Sequence, residues 1–239
     1  MRKSVTSIHQ NIDAVREHIS AAARRCNRNP DQVLLMAVTK TISTERIREA
    51  YEAGIRSFGE NRVQEFAAKA EALRDLRDAE WHMIGHLQSN KAGKACELFS
   101  AVDAVESLRL AEKLNAAVVQ LGKKLRILIE VNVGGEAAKS GVSPNGADLE
   151  ELLNAAPKLL HLDFRGLMTI PPFTEDPQQA RPYFRRLREL RDQTAARQLP
   201  GVRMDVLSMG MSHDFEIAIE EGSTCVRVGT AIFGERNTK

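Results

Sequence analysis

The sequence predicts an α/β protein that folds as a single (β/α)8 barrel of the TIM type, with an extra helix at its N-terminus. From about residue 33 onward, eight short apolar segments alternate with helical patterns, which is typical of parallel βα units. The first of these segments is a continuous apolar run, as expected for a strand that is buried on both faces. The length of 239 residues is close to the roughly 250 residues of a closed barrel.

The extra helix is predicted from the spacing of apolar residues near the N-terminus. They recur every three or four positions and therefore share one helical face. These residues are Val5, Ile8, Ile12, Val15 and Ile19. We expect this helix to end between Asn27 and Pro30, because proline cannot continue a helix.

The strands and the remaining helices follow in alternation. The eight strands are predicted at residues 33–39, 57–59, 81–84, 101–105, 125–133, 164–170, 206–209 and 225–228. Between them, three helices are indicated by apolar residues at helical spacing. Their apolar faces consist of Val63, Phe66, Ala67, Ala70 and Leu73; of Leu108, Ala111, Leu114, Val118 and Leu121; and of Tyr183, Leu187 and Leu190.

The main alternative fold is an open, doubly wound sheet. The dinucleotide-binding form of that fold carries a GxGxxG motif after its first strand, whereas Thr39-Lys40-Thr41 follows the first strand here. No internal repeat and no linker rich in proline or glycine divides the sequence. We therefore expect one domain that comprises residues 1–239.

Composition and charge exclude several classes of protein. The net charge is only +2, so neither nucleic acid nor an anionic membrane is expected as a partner. No segment approaches the roughly 18 apolar residues of a membrane span, and the N-terminus lacks the apolar core of a signal peptide. The three cysteines are far apart and fit no disulfide framework. We expect a cytoplasmic protein, and the histidines and cysteines show no metal-ligand spacing.

In a barrel, the functional residues lie at the C-terminal ends of the strands. Lys40 ends the first strand, where partial desolvation favours the neutral amine. A neutral amine attacks an aldehyde to form a Schiff base; the alternative is a lysine that extends into solvent. His86 and His213 also follow strands and are candidates for phosphate contact or weak base catalysis, whereas His82 is interpreted as a core histidine.

The loops after strands 7 and 8 predict a phosphate site, because barrels frequently bind phosphate there. In the first loop, Gly210 allows close approach of the backbone, and Ser212 is placed where a helix N-cap would lie. The second loop contributes Arg227, Gly229 and Thr230. The alternative interpretation is a pair of ordinary turns with helix caps.

A lysine that traps aldehydes opposite a phosphate site indicates an aldehyde-bearing phosphate ester. Pyridoxal 5'-phosphate fits this description, and its pyridine nitrogen commonly meets an Asp or Arg in proteins. Another possibility is an aldolase-type barrel that uses Lys40 on a sugar phosphate without a cofactor.

Specific motifs give the chain a resemblance to a known family over residues 8–236. They are Ala37-Val38-Thr39-Lys40, Phe58-Gly59-Glu60-Asn61-Arg62-Val63-Gln64-Glu65, Trp81-His82-Met83-Ile84-Gly85-His86-Leu87-Gln88-Ser89-Asn90-Lys91, Gly166-Leu167-Met168-Thr169-Ile170, Leu207-Ser208-Met209-Gly210-Met211-Ser212 and Val226-Arg227-Val228-Gly229-Thr230-Ala231-Ile232-Phe233-Gly234. The chain resembles the pyridoxal phosphate homeostasis protein family, which is similar to the N-terminal domain of alanine racemase (fold type III of pyridoxal phosphate proteins). Met83 departs from the family, which more often has Phe at this position.

The resemblance implies roles for the site residues. Lys40 carries the cofactor as a Schiff base, and Arg227 faces the pyridine nitrogen. Asn61 lies near the 3-hydroxyl side of the ring. The phosphate is held by Ser208, Ser212, Gly229 and Thr230.

The resemblance also implies a carrier or buffer of pyridoxal phosphate in vitamin B6 and amino-acid homeostasis, without catalytic residues. Because Arg227 stays protonated, the pyridine nitrogen would stay unprotonated and the ring would be a weaker electron sink. Only nine residues follow Thr230, so we expect no second domain of the kind that supplies a tyrosine base in racemases. We expect a monomer that delivers the cofactor to apo pyridoxal phosphate enzymes; the alternative is a racemase-like enzyme.

Overall fold

The computed structural model describes residues 7–136 and 139–235. Its centre is a closed barrel of eight parallel strands in sequence order, in which the last strand pairs with the first. The strands are β1 (Leu34–Val38), β2 (Ser57–Glu60), β3 (Glu80–Met83), β4 (Ala101–Val105), β5 (Leu125–Glu130), β6 (Leu162–Met168), β7 (Val202–Met211) and β8 (Cys225–Val228). The predicted (β/α)8 barrel is therefore confirmed.

Nine α-helices accompany the strands in the described part of the chain. They are α1 (Ile8–Arg25), α2 (Thr44–Glu52), α3 (Val63–Ala70), α4 (Ala92–Leu98), α5 (Leu108–Gln120), α6 (Ala147–Ala155), α7 (Arg181–Ala196), α8 (Phe215–Glu220) and α9 (Thr230–Phe233). Within residues 7–136 and 139–235, no helix has the length and apolar character needed to cross a membrane.

The largest difference between predicted and observed strands occurs in β7. This strand has ten residues, whereas the sequence predicts only 206–209. In its first half, the buried Met204 lies between the exposed Arg203 and Asp205. Alternation of this kind is normal for a strand with one solvated face, but it lacks the continuous apolar run that identifies the other strands.

The predicted helical faces are buried at their centres and differ at their edges. Leu114 of α5 is fully buried, but Leu121 lies beyond the end of α5 and is exposed. In α7, Phe184 and not Tyr183 is fully buried beside Leu187.

The apolar core has two parts, because successive residues of a barrel strand face opposite sides. The larger part lies between the barrel and the helices and includes Phe58, whose ring stacks on Trp81 at a centroid distance of 4.9 Å. Full burial of such a side chain contributes about 1.5–3 kcal/mol to stability. Inside the barrel, Met36 packs in a small cluster with Ile84 and Cys225.

The predicted extra helix, α1, packs against α8 and α9 at the outside of the barrel. It begins with a capping box, in which Ser7 and Gln10 satisfy each other's backbone N–H groups. Its buried face matches the prediction from Ile8 to Ile19, while the predicted Val5 lies outside the described residues. The Asn11 side chain donates to the carbonyl oxygen of Ile232 in α9 over 2.9 Å.

The barrel interior also contains an ion pair. His82 on β3 and Asp103 on β4 are both buried, and Nδ1 of His82 lies 3.0 Å from Oδ2 of Asp103. Burial lowers the pKa of His82, but the charge and hydrogen bond of Asp103 and the nearby Glu80 outweigh burial and raise this pKa to about 9. His82 is thus a core histidine, as predicted, and it is charged at neutral pH.

This ion pair predicts a loss of stability at alkaline pH. Because the pKa of His82 rises from 6.5 in the unfolded chain to about 9 on folding, its contribution is complete below pH 6.5 and is lost as pH rises through 9. The expected loss of unfolding free energy is about 3 kcal/mol. Denaturant unfolding of wild type and His82→Gln across this range should show a flatter profile for the variant. His9→Gln, which changes an exposed histidine of α1, should keep the wild-type slope; equal slopes in all three proteins would contradict the assignment.

Candidate functional site

A cleft of about 270 Å³ lies at the C-terminal ends of the strands. It is lined by Val38, Lys40, Asn61, Ile84, Ile170, Phe173, Met211, Ser212, His213, Arg227, Gly229 and Thr230. Six of the eight residues predicted to bind the cofactor are therefore brought together around one cleft. The two that do not line it are Ser208 and Gly210.

Lys40 lies two residues beyond the end of β1 and is partly buried. It shares the cleft with the apolar side chains of Val38 and Ile84, which come from β1 and from the residue after β3. Asn61 follows β2, and its side-chain oxygen Oδ1 is buried without a hydrogen-bond partner. A buried acceptor of this kind is costly unless a donor reaches it, so this position suits a ligand hydroxyl.

Ser212 connects the two loops that were predicted to hold phosphate. Its hydroxyl oxygen accepts hydrogen bonds from the backbone N–H groups of Gly229 and Ala231, each over 3.3 Å. The predicted N-cap role is wrong, because α8 begins at Phe215 with Asp214 as its N-cap. Ser212 instead lies at the start of α9, beside Thr230.

Arg227 is the most deeply buried of the residues that line the cleft, with 3% of its surface exposed. Its Nη1 donates to the hydroxyl of Ser208 over 2.7 Å, and its Nη2 donates to the carbonyl oxygen of Thr169 over 2.8 Å. Burial lowers the pKa of Arg227, while the nearby charges of Asp103 and Glu130 raise it. The guanidinium is thus held in a fixed orientation from two neighbouring strands.

Ser208 and Gly210 have structural roles in this arrangement. Ser208 is fully buried and holds Arg227, at a position that does not line the cleft where a phosphate would lie. Gly210 has φ +96°, and a Cβ at this residue would lie 2.6 Å from that of Ala218 in α8. Only glycine allows this backbone conformation and close packing together, so Gly210 lets the end of β7 lie against α8.

Glu130, at the end of β5, was not identified from the sequence as a site residue. It is 5% exposed, and its Oε2 has no hydrogen-bond partner. Burial and, to a smaller extent, the charge of Glu106 raise the pKa of Glu130 to about 7 against the opposing charge of Arg227. The alternation of Arg126, Leu128 and Glu130 along β5 could have indicated that this carboxyl faces the barrel interior.

The histidines near the cleft are engaged with protein groups. Nδ1 of His86 lies 2.8 Å from Oε1 of Glu106, so His86 has an orienting group that the sequence did not reveal. Nε2 of His213 lies 3.1 Å from the carbonyl oxygens of both Thr174 and Glu175. In residues 7–136 and 139–235, no group of three or more potential ligands could hold a metal ion.

A larger hollow of about 540 Å³ lies at the opposite end of the barrel, against α1. Its two arginines are paired with carboxylates: Arg16 with Asp13, and Arg56 with Asp78. Residues at that end of a barrel usually serve the stability of the fold, whereas functional residues lie at the C-terminal ends of the strands. We therefore assign the functional site to the cleft that contains Lys40.

The fold and the cleft define a class of protein, a (β/α)8 barrel with a lysine after β1 and a cleft that this lysine shares with the loops after β7 and β8. The chain matches the family model for the N-terminal domain of alanine racemase over residues 10–237. A pyridoxal phosphate homeostasis protein of Aquifex aeolicus is 45% identical over 227 residues, which are 95% of this chain and 97% of that protein. The chain therefore belongs to the pyridoxal phosphate homeostasis protein family, within the wider alanine racemase N-terminal domain family.

Solved structures agree with this assignment. PipY of Synechococcus elongatus PCC7942 with PLP bound has a TM-score of 0.83 and 38% identity, covering 95% of this chain and 100% of that chain. An alanine racemase of Clostridium difficile 630 has a TM-score of 0.70 at 16% identity, covering 98% of this chain and 58% of the racemase. At this low identity, the likeness to the racemase shows the fold alone.

The buried Glu130 predicts a second, more acidic window of pH-dependent stability. Its pKa is raised from 4.5 to about 7 on folding, so the folded protein retains a proton that the unfolded chain releases between these values. Stability should therefore fall as pH rises from 4.5 to 7, by about 3 kcal/mol. Glu130→Gln should remove this slope in denaturant unfolding, and Glu112→Gln, at an exposed position of α5, should keep it. A Glu130→Gln profile parallel to wild type would show that this carboxyl titrates normally.

Proposed function

We propose that this protein is a single-domain carrier of pyridoxal 5'-phosphate that holds the cofactor on Lys40 and takes part in vitamin B6 homeostasis. The observation that supports this most strongly is the convergence of Lys40, Asn61, Arg227 and the two phosphate-type loops on one cleft. The Aquifex relative is named a pyridoxal phosphate homeostasis protein, and PipY has been solved with PLP bound.

The charge of the cleft fits a phosphorylated ligand. Among the described residues that line it there is no carboxylate, whereas Lys40 and Arg227 contribute cationic groups. The hydroxyl of Ser212 accepts hydrogen bonds from the backbone N–H groups of Gly229 and Ala231, and Thr230 lines the cleft between them in sequence. Backbone N–H groups and hydroxyls at a helix start are typical phosphate ligands.

The remaining contacts fit the pyridine ring. When bound, pyridoxal phosphate supplies an aldehyde that a lysine amine converts to a Schiff base with loss of one water molecule. The partnerless Oδ1 of Asn61 is a suitable acceptor for the ring hydroxyl. Arg227 would donate a hydrogen bond to the ring nitrogen. Because a guanidinium stays protonated at neutral pH, it would not transfer its proton to that nitrogen.

Two features support carriage of the cofactor over catalysis. An arginine at the ring nitrogen would leave that nitrogen unprotonated and would weaken the ring as an electron sink. Neither tyrosine of the chain lines the cleft: Tyr51 lies on α2 and bonds to Asp78, and Tyr183 lies on α7. A racemase-like activity, which needs a base on each side of the substrate carbon, is not favoured by this arrangement.

The delivery role is an extension of the same proposal. Phe173, at the rim of the cleft, is an apolar side chain that is 82% exposed. The cleft beside it is accessible from solvent. We infer that the protein acts in the cytoplasm as a monomer and passes the cofactor to apo pyridoxal phosphate enzymes.

Replacement of the proposed attachment lysine tests the carrier site directly. Wild-type protein with pyridoxal phosphate should become coloured, and borohydride reduction should place one pyridoxyl group on the peptide that contains Lys40. Lys40→Ala should lose at least 90% of this label yet unfold within a few degrees of wild type, because it removes a rim side chain and no core volume.

Two other lysines near this end of the barrel serve as controls. Lys91→Ala and Lys139→Ala should both retain the colour and the label on Lys40. A wild-type adduct on Lys91 or Lys139 instead of Lys40 would refute the assignment, and a protein that takes up no label at all would refute the carrier proposal.

The proposed absence of racemase chemistry is tested by chiral analysis. Wild-type protein loaded with pyridoxal phosphate and incubated with L-alanine should form no more D-alanine than Lys40→Ala does, since no tyrosine is positioned as a second base. Steady turnover that depends on Lys40 would show that the protein is an enzyme. Measurements with several other L-amino acids should give the same negative result.

A further inference from the structure

We propose that Glu65 and Lys69 of α3 are positioning residues that hold the backbone on both sides of Lys40 and so prepare its amine for the aldehyde. The inference rests on the proposed function and deepens it, because it concerns the same site. It depends on contacts outside the cleft, in the space between the end of β1 and α3.

On the C-terminal side of Lys40, the backbone adopts a conformation that a β-branched residue rarely accepts. Thr41 has φ +64°, in the left-handed region that costs free energy for residues other than glycine. Its N–H donates to Oε1 of Glu65 over 2.5 Å, and its hydroxyl donates to the carbonyl oxygen of Lys40 over 2.6 Å. Strain of this kind persists only where surrounding contacts enforce it, and Glu65 supplies such a contact.

On the N-terminal side of Lys40, the ammonium group of Lys69 holds the backbone. Its Nζ donates to the carbonyl oxygen of Thr39 over 3.0 Å and to Oε1 of Glu60 over 3.1 Å. Lys69 is 13% exposed, so these bonds form largely away from water. Thr39 is also tied to β2, because its N–H donates to Gly59 and its hydroxyl donates to Glu60.

The two contacts form one unit. Glu65 and Lys69 are four residues apart on α3, and their charged groups lie 2.8 Å apart, as expected for an i, i+4 pair. Together they fix the backbone groups immediately before and after Lys40. The backbone around Lys40 is then already ordered in the folded protein. Ligand binding therefore does not carry the entropic cost of ordering it.

The size of the effect on covalent binding can be estimated from the entropy that is lost when one residue is ordered. Ordering one residue changes an equilibrium by about tenfold. Loss of the Glu65 contact should therefore weaken covalent binding of pyridoxal phosphate by about tenfold. Binding of pyridoxine 5'-phosphate, which has the same ring and phosphate but no aldehyde, should be unaffected, because that ligand does not need the amine of Lys40.

The test compares Glu65→Ala, Glu65→Gln and the control Glu97→Ala. Glu65 is partly exposed, so its replacement should leave the fold intact, and Gln retains an oxygen that accepts the N–H of Thr41. Glu97 is a glutamate of α4 that is also paired with a lysine, Lys94. Three quantities are measured: amide exchange at Thr41 in cofactor-free protein, Kd for pyridoxal phosphate by absorbance, and Kd for pyridoxine phosphate by calorimetry.

Glu65→Ala should lose exchange protection at Thr41 by at least tenfold and bind pyridoxal phosphate about tenfold more weakly. Glu65→Gln should stay within about threefold of wild type in both quantities, and Glu97→Ala should match wild type. Unchanged protection in Glu65→Ala would overturn the proposed contact. Equal weakening of both ligands would overturn the positioning role, because it would indicate a general disturbance of the cleft.

Failure of the proposed function gives a different result. If wild-type protein binds no pyridoxal phosphate, the carrier proposal is refuted by that measurement alone. The exchange data from cofactor-free protein then still decide the positioning contact: loss of protection at Thr41 in Glu65→Ala supports it, and retained protection overturns it.

Discussion

The pairing of β1 with β8 is the constraint on which the rest of the site depends. This parallel register places Met36 beside Arg227 and Ala37 beside Val228. Lys40, just after β1, and Gly229 and Thr230, just after β8, must then lie side by side at the same end of the barrel. Residues almost two hundred positions apart in sequence become neighbours because the sheet closes, and an open sheet with the same strands would separate them.

Closure of the barrel also explains its unusual interior. Arg227 can reach the cleft only from inside the barrel, where an isolated charge would be very costly. The interior therefore contains compensating groups: Asp103 supplies negative charge, and the Ser208 hydroxyl and the Thr169 carbonyl accept hydrogen bonds. A hydrophobic residue is often at least as stabilising as a buried ion, so the hydrogen bonds that Ser208 and Thr169 accept are best understood as the support of one fixed guanidinium.

Much of the fold could be predicted from the sequence, because parallel strands that are buried on both faces consist of continuous apolar runs. Lys40 and Arg227 could be assigned to one site because the C-terminal ends of all strands meet at the same end of a barrel, independently of the loop conformations. The partners of each residue could not be predicted in this way. Ser208 and Ser212 have the same side chain and lie four residues apart, yet Ser208 supports Arg227 and Ser212 accepts hydrogen bonds from the start of α9. These roles depend on the direction in which each residue of β7 faces and on its contacts with β8, which the sequence does not show.

The outer helices also stabilise the cleft, because their side chains bond to the backbone near each of its two halves. The Asn11 side chain of α1 and Nη2 of Arg46 in α2 bond to the last carbonyl groups of α9, at Ile232 and Phe233. Glu65 and Lys69 of α3 act in the same way on the other half, at Lys40. A site that binds its ligand in an open cleft gains from rigidity, since every group that is ordered beforehand lowers the entropic cost of binding. The helices of this barrel therefore do more than bury the sheet: their side chains also bond to the backbone beside Lys40 and at the end of α9.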